Sequence, residues 1–126
     1  MRRPDGATGM LIEGDGSLLM HVQELETVKR HRLRLLMCVM NDGGYGAEIH
    51  KLRAQGIDPS EAIHGRGDLA AVAKGFGLRG ATVSTMGRFE LLFNEHLRSN
   101  SAELWDVHID DKIPSAAYRR IHYGET

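Results

Sequence analysis

Gly14-Asp15-Gly16-Ser17 and, further on, Asn41-Asp42-Gly43-Gly44-Tyr45-Gly46 are two glycine-rich loops, each carrying a carboxylate and each following an apolar run. Met10-Leu11-Ile12 leads into the first and reads as a buried strand running into a phosphate-type turn. Leu33 to Met40 leads into the second, and is too continuously apolar for a half-exposed strand, so it suits the centre of a parallel sheet. Between the loops the period changes. Leu18, Val22, Leu25 and Val28 recur at steps of three and four with Gln23, Glu24, Glu26 and Lys29 between them, which predicts an amphipathic helix from about Ser17.

The alternation continues downstream. A short helix is expected over 47–53, stopped by Gln55-Gly56-Ile57-Asp58-Pro59, and the chain is then irregular to Gly67. Asp68 is placed to cap a helix with the stripe Leu69, Val72, Ala73 and Phe76, ended by Gly77. Ala81-Thr82-Val83-Ser84 is the third expected strand, Thr85 the cap of a helix facing inward through Phe89, Leu92, Phe93 and Leu97, and Leu104 to Ile109 a fourth, alternating strand. Parallel neighbours need a crossover, and helices are the usual one, so this order predicts a three-layer α/β domain with a mainly parallel sheet. At 126 residues the chain is one domain's worth, taken as a single unit over 1–126.

A formal net charge of -1 gives neither the basic footprint of a nucleic-acid binder nor a polybasic patch for a membrane, so neither partner is expected. Cys38 is the only cysteine and lies inside an apolar run, which excludes disulfide and thiolate-metal frameworks and fits a reducing cytoplasm. No stretch approaches the roughly twenty apolar residues of a membrane span, and Met1-Arg2-Arg3-Pro4-Asp5 lacks the apolar segment of a signal peptide.

In an open parallel sheet the ligand crevice lies beyond the carboxyl ends of the strands, so loops directly after strands one and two are placed to share a site. Asp15 offers a hard oxygen, the Gly16 and Ser17 amides can face phosphate oxygens, and Asp42 offers a second carboxylate. Magnesium takes octahedral oxygen coordination and commonly completes its shell with phosphates, so two carboxylates, a loop carbonyl and a diphosphate form a matching set. Either loop alone would be explained equally well as a tight turn with Asp15 capping a helix. The pair, at this spacing, points to the magnesium diphosphate.

With these residues in view, the chain resembles the C-terminal cofactor-binding domain of thiamine diphosphate-dependent decarboxylases and carboligases, the group of acetolactate synthase, pyruvate decarboxylase and benzoylformate decarboxylase. The likeness runs from Pro4 to about Asp110. It is carried by the two loops, by Val22-Gln23-Glu24-Leu25, by Asp68-Leu69-Ala70-Ala71-Val72-Ala73 with Phe76-Gly77, and by Leu104-Trp105-Asp106-Val107. The resemblance implies thiamine diphosphate and Mg2+ as cofactors, with Asp15, Asp42 and the Gly44 carbonyl on the metal, or Asn41 if the register slips by one. Asp42 departs from the family, which usually has asparagine there, and adds negative charge to the metal site. Gly14, Gly16 and Ser17 are implied at the diphosphate, and Tyr45, Gly46 and Ala47 along the cofactor.

By the same resemblance Glu48 falls where relatives place residues facing the thiazolium and substrate, and is the candidate acid or base. A helical acid favoured by the dipole is the plain alternative for Glu48. His50 and His64 follow the second loop but have no positioned partner in the sequence, and His21, His31 and His96 are read as structural. Family enzymes take an activating glutamate from another domain, normally of a neighbouring subunit, and hold the cofactor with a segment before the first strand. Only nine residues precede Met10, so the domain is read as incomplete on its N-terminal side. The leading expectation is therefore the cofactor half of a decarboxylase or carboligase acting on 2-oxo acids, in a homo- or hetero-oligomer with a chain or domain that supplies the glutamate. The alternatives are a truncated, non-catalytic diphosphate- or metal-binding module and a flavodoxin-like magnesium-binding signalling domain.

Overall fold

The computed structural model describes residues 7–124, so the likeness before position 7 and the segment Met1 to Asp5 lie outside the described residues. Strand β1 (Gly9–Gly14) runs into helices α1 (Asp15–Met20) and α2 (Glu24–Arg30), then β2 (Leu35–Asn41) into α3 (Gly46–Ala54). A short 3-10 turn (Ser60–Ala62), α4 (Leu69–Gly75), β3 (Arg79–Val83), α5 (Met86–Leu97), β4 (Glu103–His108) and α6 (Ala116–Tyr123) follow. The four strands form one sheet in the order β1-β2-β4-β3, with every pair parallel. The α/β class and the parallel sheet are as the sequence predicts.

The layers follow from the pleat. Met37, Val39 and Leu104 point to one side, where Leu18 of α1, Leu25 and Val28 of α2, and Leu69 and Ala73 of α4 close over them. Leu36, Cys38, Val83 and Trp105 point to the other, where Leu92 seals the core with Phe89 and Phe93 of α5. Both expected caps are present, since Asp68 Oδ1 accepts the Ala71 amide at 2.8 Å and Thr85 Oγ1 the Arg88 amide at 3.2 Å. At Gly80 a Cβ would run into the carbonyl oxygen of Ala70, so glycine here sets how closely α4 lies on β3.

Four expectations need correction. β1 is not a buried strand: it is the edge of the sheet, α5 lies over β3 and β4 instead, and Met10, Leu11 and Ile12 are 49%, 37% and 62% exposed. The single helix expected from Ser17 is two, because the His21, Glu24, Leu25 and Glu26 amides each bond three residues back and so break the four-residue ladder. The imidazole of His21, at that break, lies 3.2 Å from Glu13. β4 does not alternate in burial, since it sits between β2 and β3 and Glu103 to Asp106 are all buried. α6 has no counterpart in the expected elements.

Candidate functional site

The crevice rule for parallel sheets puts the loops after β1 and β2 side by side, and here they line one cavity of about 350 Å3. Its walls include Gly14, Asp15, Gly16 and Ser17 from the first loop and Asp42, Gly44, Tyr45, Gly46, Ala47 and Glu48 from the second. Met20, Met40 and Ile109 supply apolar edges. Neither α1 nor α3 has a side-chain cap at its start, and residues of both starts line this cavity.

The loops are held by side-chain to backbone bonds. Asp15 is buried, and its Oδ2 accepts the Gly43 amide at 2.9 Å, tying one loop to the other. Asp42 folds over its own turn, with Oδ1 accepting the Gly44 amide at 3.3 Å. A Cβ at Gly16 would come within 2.8 Å of the Tyr45 ring, and one at Gly46 would meet the Asp42 carboxylate, so a side chain at either position would displace Tyr45 or Asp42 from the cavity wall. Burial first, then the negative charge of Asp15, push the Asp42 carboxyl above its ordinary range.

Two neighbouring carboxylates of which one already resists ionisation form a site whose repulsion a cation relieves. Among the described residues no group of three or more His, Cys, Asp or Glu side chains is placed to hold a metal ion. Two carboxylates with a loop carbonyl fit a hard divalent ion whose remaining ligands come from a bound diphosphate, as magnesium favours. The donor set present therefore fits a magnesium diphosphate and does not fit a metal held by protein side chains alone.

Asn41 has different surroundings. It is fully buried, its Nδ2 donates to Asp106 Oδ1 at 2.8 Å, and Asp106 Oδ2 accepts the Leu69 amide at 3.1 Å at the start of α4. This chain of bonds joins the end of β2, the middle of β4 and α4, directly under the second loop. Glu48, by contrast, is exposed at the cavity wall.

Three side-chain contacts near the cavity are not encoded in any local pattern. His64, which has no positioned partner in the sequence, returns to the site through the bridge between Gly44 and Ile63. Its Nε2 lies 3.8 Å from Asp15 Oδ2 and its ring meets Tyr45 edge-on at 5.6 Å. Arg66 donates through Nε to the Asn41 carbonyl at 3.2 Å and through Nη2 to the Ile109 carbonyl, closing the ends of β2 and β4. Tyr118 of α6 donates its O–H to the Ala47 carbonyl. No periodicity links these residues to the loops they touch.

The family model for the thiamine pyrophosphate enzyme, C-terminal TPP binding domain, matches residues 1–107. The chain belongs to that family. Its curated relatives include a Mycobacterium tuberculosis protein named as an acetolactate synthase large subunit, 33% identical over 103 residues covering 81% of this chain and 18% of the relative. The acetolactate synthase isozyme 2 large subunit of Escherichia coli is 30% identical over 106 residues, 82% of this chain and 19% of its own length. The benzoylformate decarboxylase structure from Polynucleobacter necessarius shares the fold with a TM-score of 0.77 at 19% identity, over 86% of this chain and 21% of that one. The TPP-binding domain thus spans about a fifth of the relatives it matches. Thiamine diphosphate is the cofactor of this family, and membership sets aside the flavodoxin-like alternative.

Proposed function

We propose that this TPP-binding domain is the cofactor half of a decarboxylase or carboligase acting on 2-oxo acids, and that it holds thiamine diphosphate through Mg2+ between its two glycine loops. The observation that carries the proposal is the shared cavity, which joins Asp15 and Asp42 to two uncapped helix starts. In this reading Asp15, Asp42 and the Gly44 carbonyl hold the metal, with Gly14, Gly16 and Ser17 at the diphosphate. The amides of Gly16 and Ser17 supply hydrogen bonds to its oxygens without side chains in the way. Tyr45, Gly46 and Ala47 lie along the cofactor, with the Tyr45 ring fixed by Gly16 on one side and His64 on the other. Asn41 serves the site from beneath by fixing the loop rather than as a ligand.

When bound, the cofactor supplies the carbanion-stabilising chemistry that a 2-oxo acid needs to lose carbon dioxide. The protein's part is to orient it and to move protons. Glu48, exposed beside Ala47, is the group placed to give or take a proton at the cavity mouth. The activating glutamate comes from another chain or domain, which makes the working form a homo- or hetero-oligomer. A cytoplasmic setting agrees with Cys38 being free and buried.

Isothermal titration of the chain with thiamine diphosphate in the presence of Mg2+ tests the proposal. Saturable binding that is lost in Asp15→Ala and Asp42→Ala supports it. Tight binding untouched by either change sinks the ligand assignment, and no binding at all in the unaltered chain sinks the cofactor half itself.

A further inference from the structure

His64 is brought beside Asp15 by a backbone clamp on the second loop. The Tyr45 amide donates to the Ala62 carbonyl at 2.9 Å, and the His64 and Gly65 amides both donate to the Gly43 carbonyl, at 3.1 and 2.8 Å. Asp15 and His64 thereby come to line a second cavity, of about 370 Å3. Asp15 lines both cavities, whereas Asp42 lines only the first and His64 only the second.

The contact of one ring nitrogen assigns the other. His64 Nδ1 stands 2.9 Å from the Gly65 carbonyl oxygen. A carbonyl oxygen only accepts, so Nδ1 carries the proton, and in the neutral ring Nε2 keeps its lone pair. The neighbour of Nε2 is a carboxylate oxygen, Asp15 Oδ2, at 3.8 Å, too far for a hydrogen bond. Two ligands of one tetrahedral ion, each at about 2.1 Å, stand about 3.4 Å apart, so this gap is close to the width that a shared ion spans. A metal-bound imidazole typically donates its other N–H to a backbone carbonyl or carboxylate, as His64 does to Gly65. A third donor comes from Asn41, which lines this cavity and not the loop cavity. Its Nδ2 is given to Asp106, and its Oδ1 is a buried acceptor with no hydrogen-bond partner among the described residues. Such an orphan calls for an ion or a water. Asp68 adds a carboxylate to the wall, and the Arg66 guanidinium is turned to the Asn41 and Ile109 carbonyls.

We propose that this cavity is a site for a divalent transition ion of the zinc or cobalt kind, held by His64 Nε2, Asp15 Oδ2 and Asn41 Oδ1 and independent of any diphosphate. An imidazole among the donors favours such ions over Mg2+, which takes oxygen ligands. The His64 side chain is 27% exposed and that of Asp15 3%, so the ion enters from the imidazole side. The site goes beyond the proposed function and does not rest on it. The His21–Glu13 pair is a contrast, because its 3.2 Å separation is already a direct contact.

The test is a Co2+ titration of the full chain without thiamine diphosphate, read by the visible absorption of bound cobalt. One saturable equivalent, displaced by Zn2+, is expected. His64→Phe keeps a ring against Tyr45 and removes the nitrogen, and is expected to weaken Co2+ binding more than about tenfold, since even a residue behind the ligands is worth about 10–100-fold. His21→Gln leaves the binding unchanged. Absence of saturable bands, bands that survive in His64→Phe, or an equal loss in His21→Gln overturns the site. If His64→Phe does not fold, protection of His64 from diethyl pyrocarbonate by Zn2+ in the unaltered chain reads the same contact, and modification at an unchanged rate overturns the site. Mn2+, lowest in the affinity order of these ions, needs far higher concentrations to enter. A separate titration with thiamine diphosphate and Mg2+ distinguishes the two readings. Cobalt binding without cofactor binding keeps the metal site and removes the cofactor assignment, and the reverse removes the metal site alone.

Discussion

Replacing Asn41 by Asp exchanges one amide nitrogen for an oxygen beneath the second glycine loop. Asn41 is fully buried, and its Nδ2 donates at 2.8 Å to Asp106, which is itself 1% exposed. The substitution removes a hydrogen bond to a charged acceptor, worth about 1.5–3 kcal/mol, and sets a second buried carboxylate against the first. An uncompensated buried charge brings the total to about 3–5 kcal/mol at neutral pH. With a urea slope near 2 kcal/mol/M for a chain of this size, the midpoint of unfolding falls by about 1.5–2.5 M. Urea denaturation of both proteins at pH 7, read by far-ultraviolet circular dichroism, checks the loss. An N41D unfolding free energy within about 0.5 kcal/mol of the parent's at pH 7 would refute the buried pairing of Asn41 with Asp106.

Asp42→Asn is expected to act in the opposite direction in the cofactor-free chain. Since the folded carboxyl titrates above its unfolded value of 3.8, its ionisation costs stability as pH rises through that interval. The variant should be more stable than the parent at pH 7 and lose this advantage below pH 4, and a lower denaturation midpoint at pH 7 would contradict the crowding of Asp42 by Asp15. Gly80→Ala places a Cβ against the Ala70 backbone, 2.9 Å from its carbonyl carbon. A cost of about 1–3 kcal/mol is expected. Differential scanning calorimetry should show Tm lower by several degrees, and an unchanged Tm would mean that α4 and β3 are not in close contact. Burial pushes the Cys38 thiol up to about 11, so dithionitrobenzoate at pH 8 should label it only as urea unfolds the chain. Rapid stoichiometric labelling of the native chain would contradict the packing of β2.

The legible parts of this molecule are those written in short-range pattern. The apolar run before Asn41, the stripe from Leu69 to Phe76 and the face of Phe89, Leu92 and Phe93 fix β2, α4 and α5, and their alternation fixes a parallel sheet. Strand order is not local, which is why Met10 and Ile12 read as core although they lie on an edge strand, and why Leu104 to Ile109 read as alternating although Asp106 is buried along with its neighbours. In the crevice the residues of the two loops were legible because glycine and carboxylate spacing is local too. His64, Arg66 and Tyr118 were not, because each reaches the cavity by a chain return whose length no periodicity encodes.

In the proposed site a divalent ion sits between Asp15 and Asp42 only as the partner of a diphosphate. Mn2+ in place of Mg2+ makes that position visible, since it broadens the amide resonances nearest to it. With thiamine diphosphate present, the Asp15, Gly16 and Gly43 to Gly46 signals are expected to be lost at Mn2+ concentrations that leave them intact without the diphosphate. Broadening centred on other residues, or the same broadening with and without the diphosphate, would contradict it.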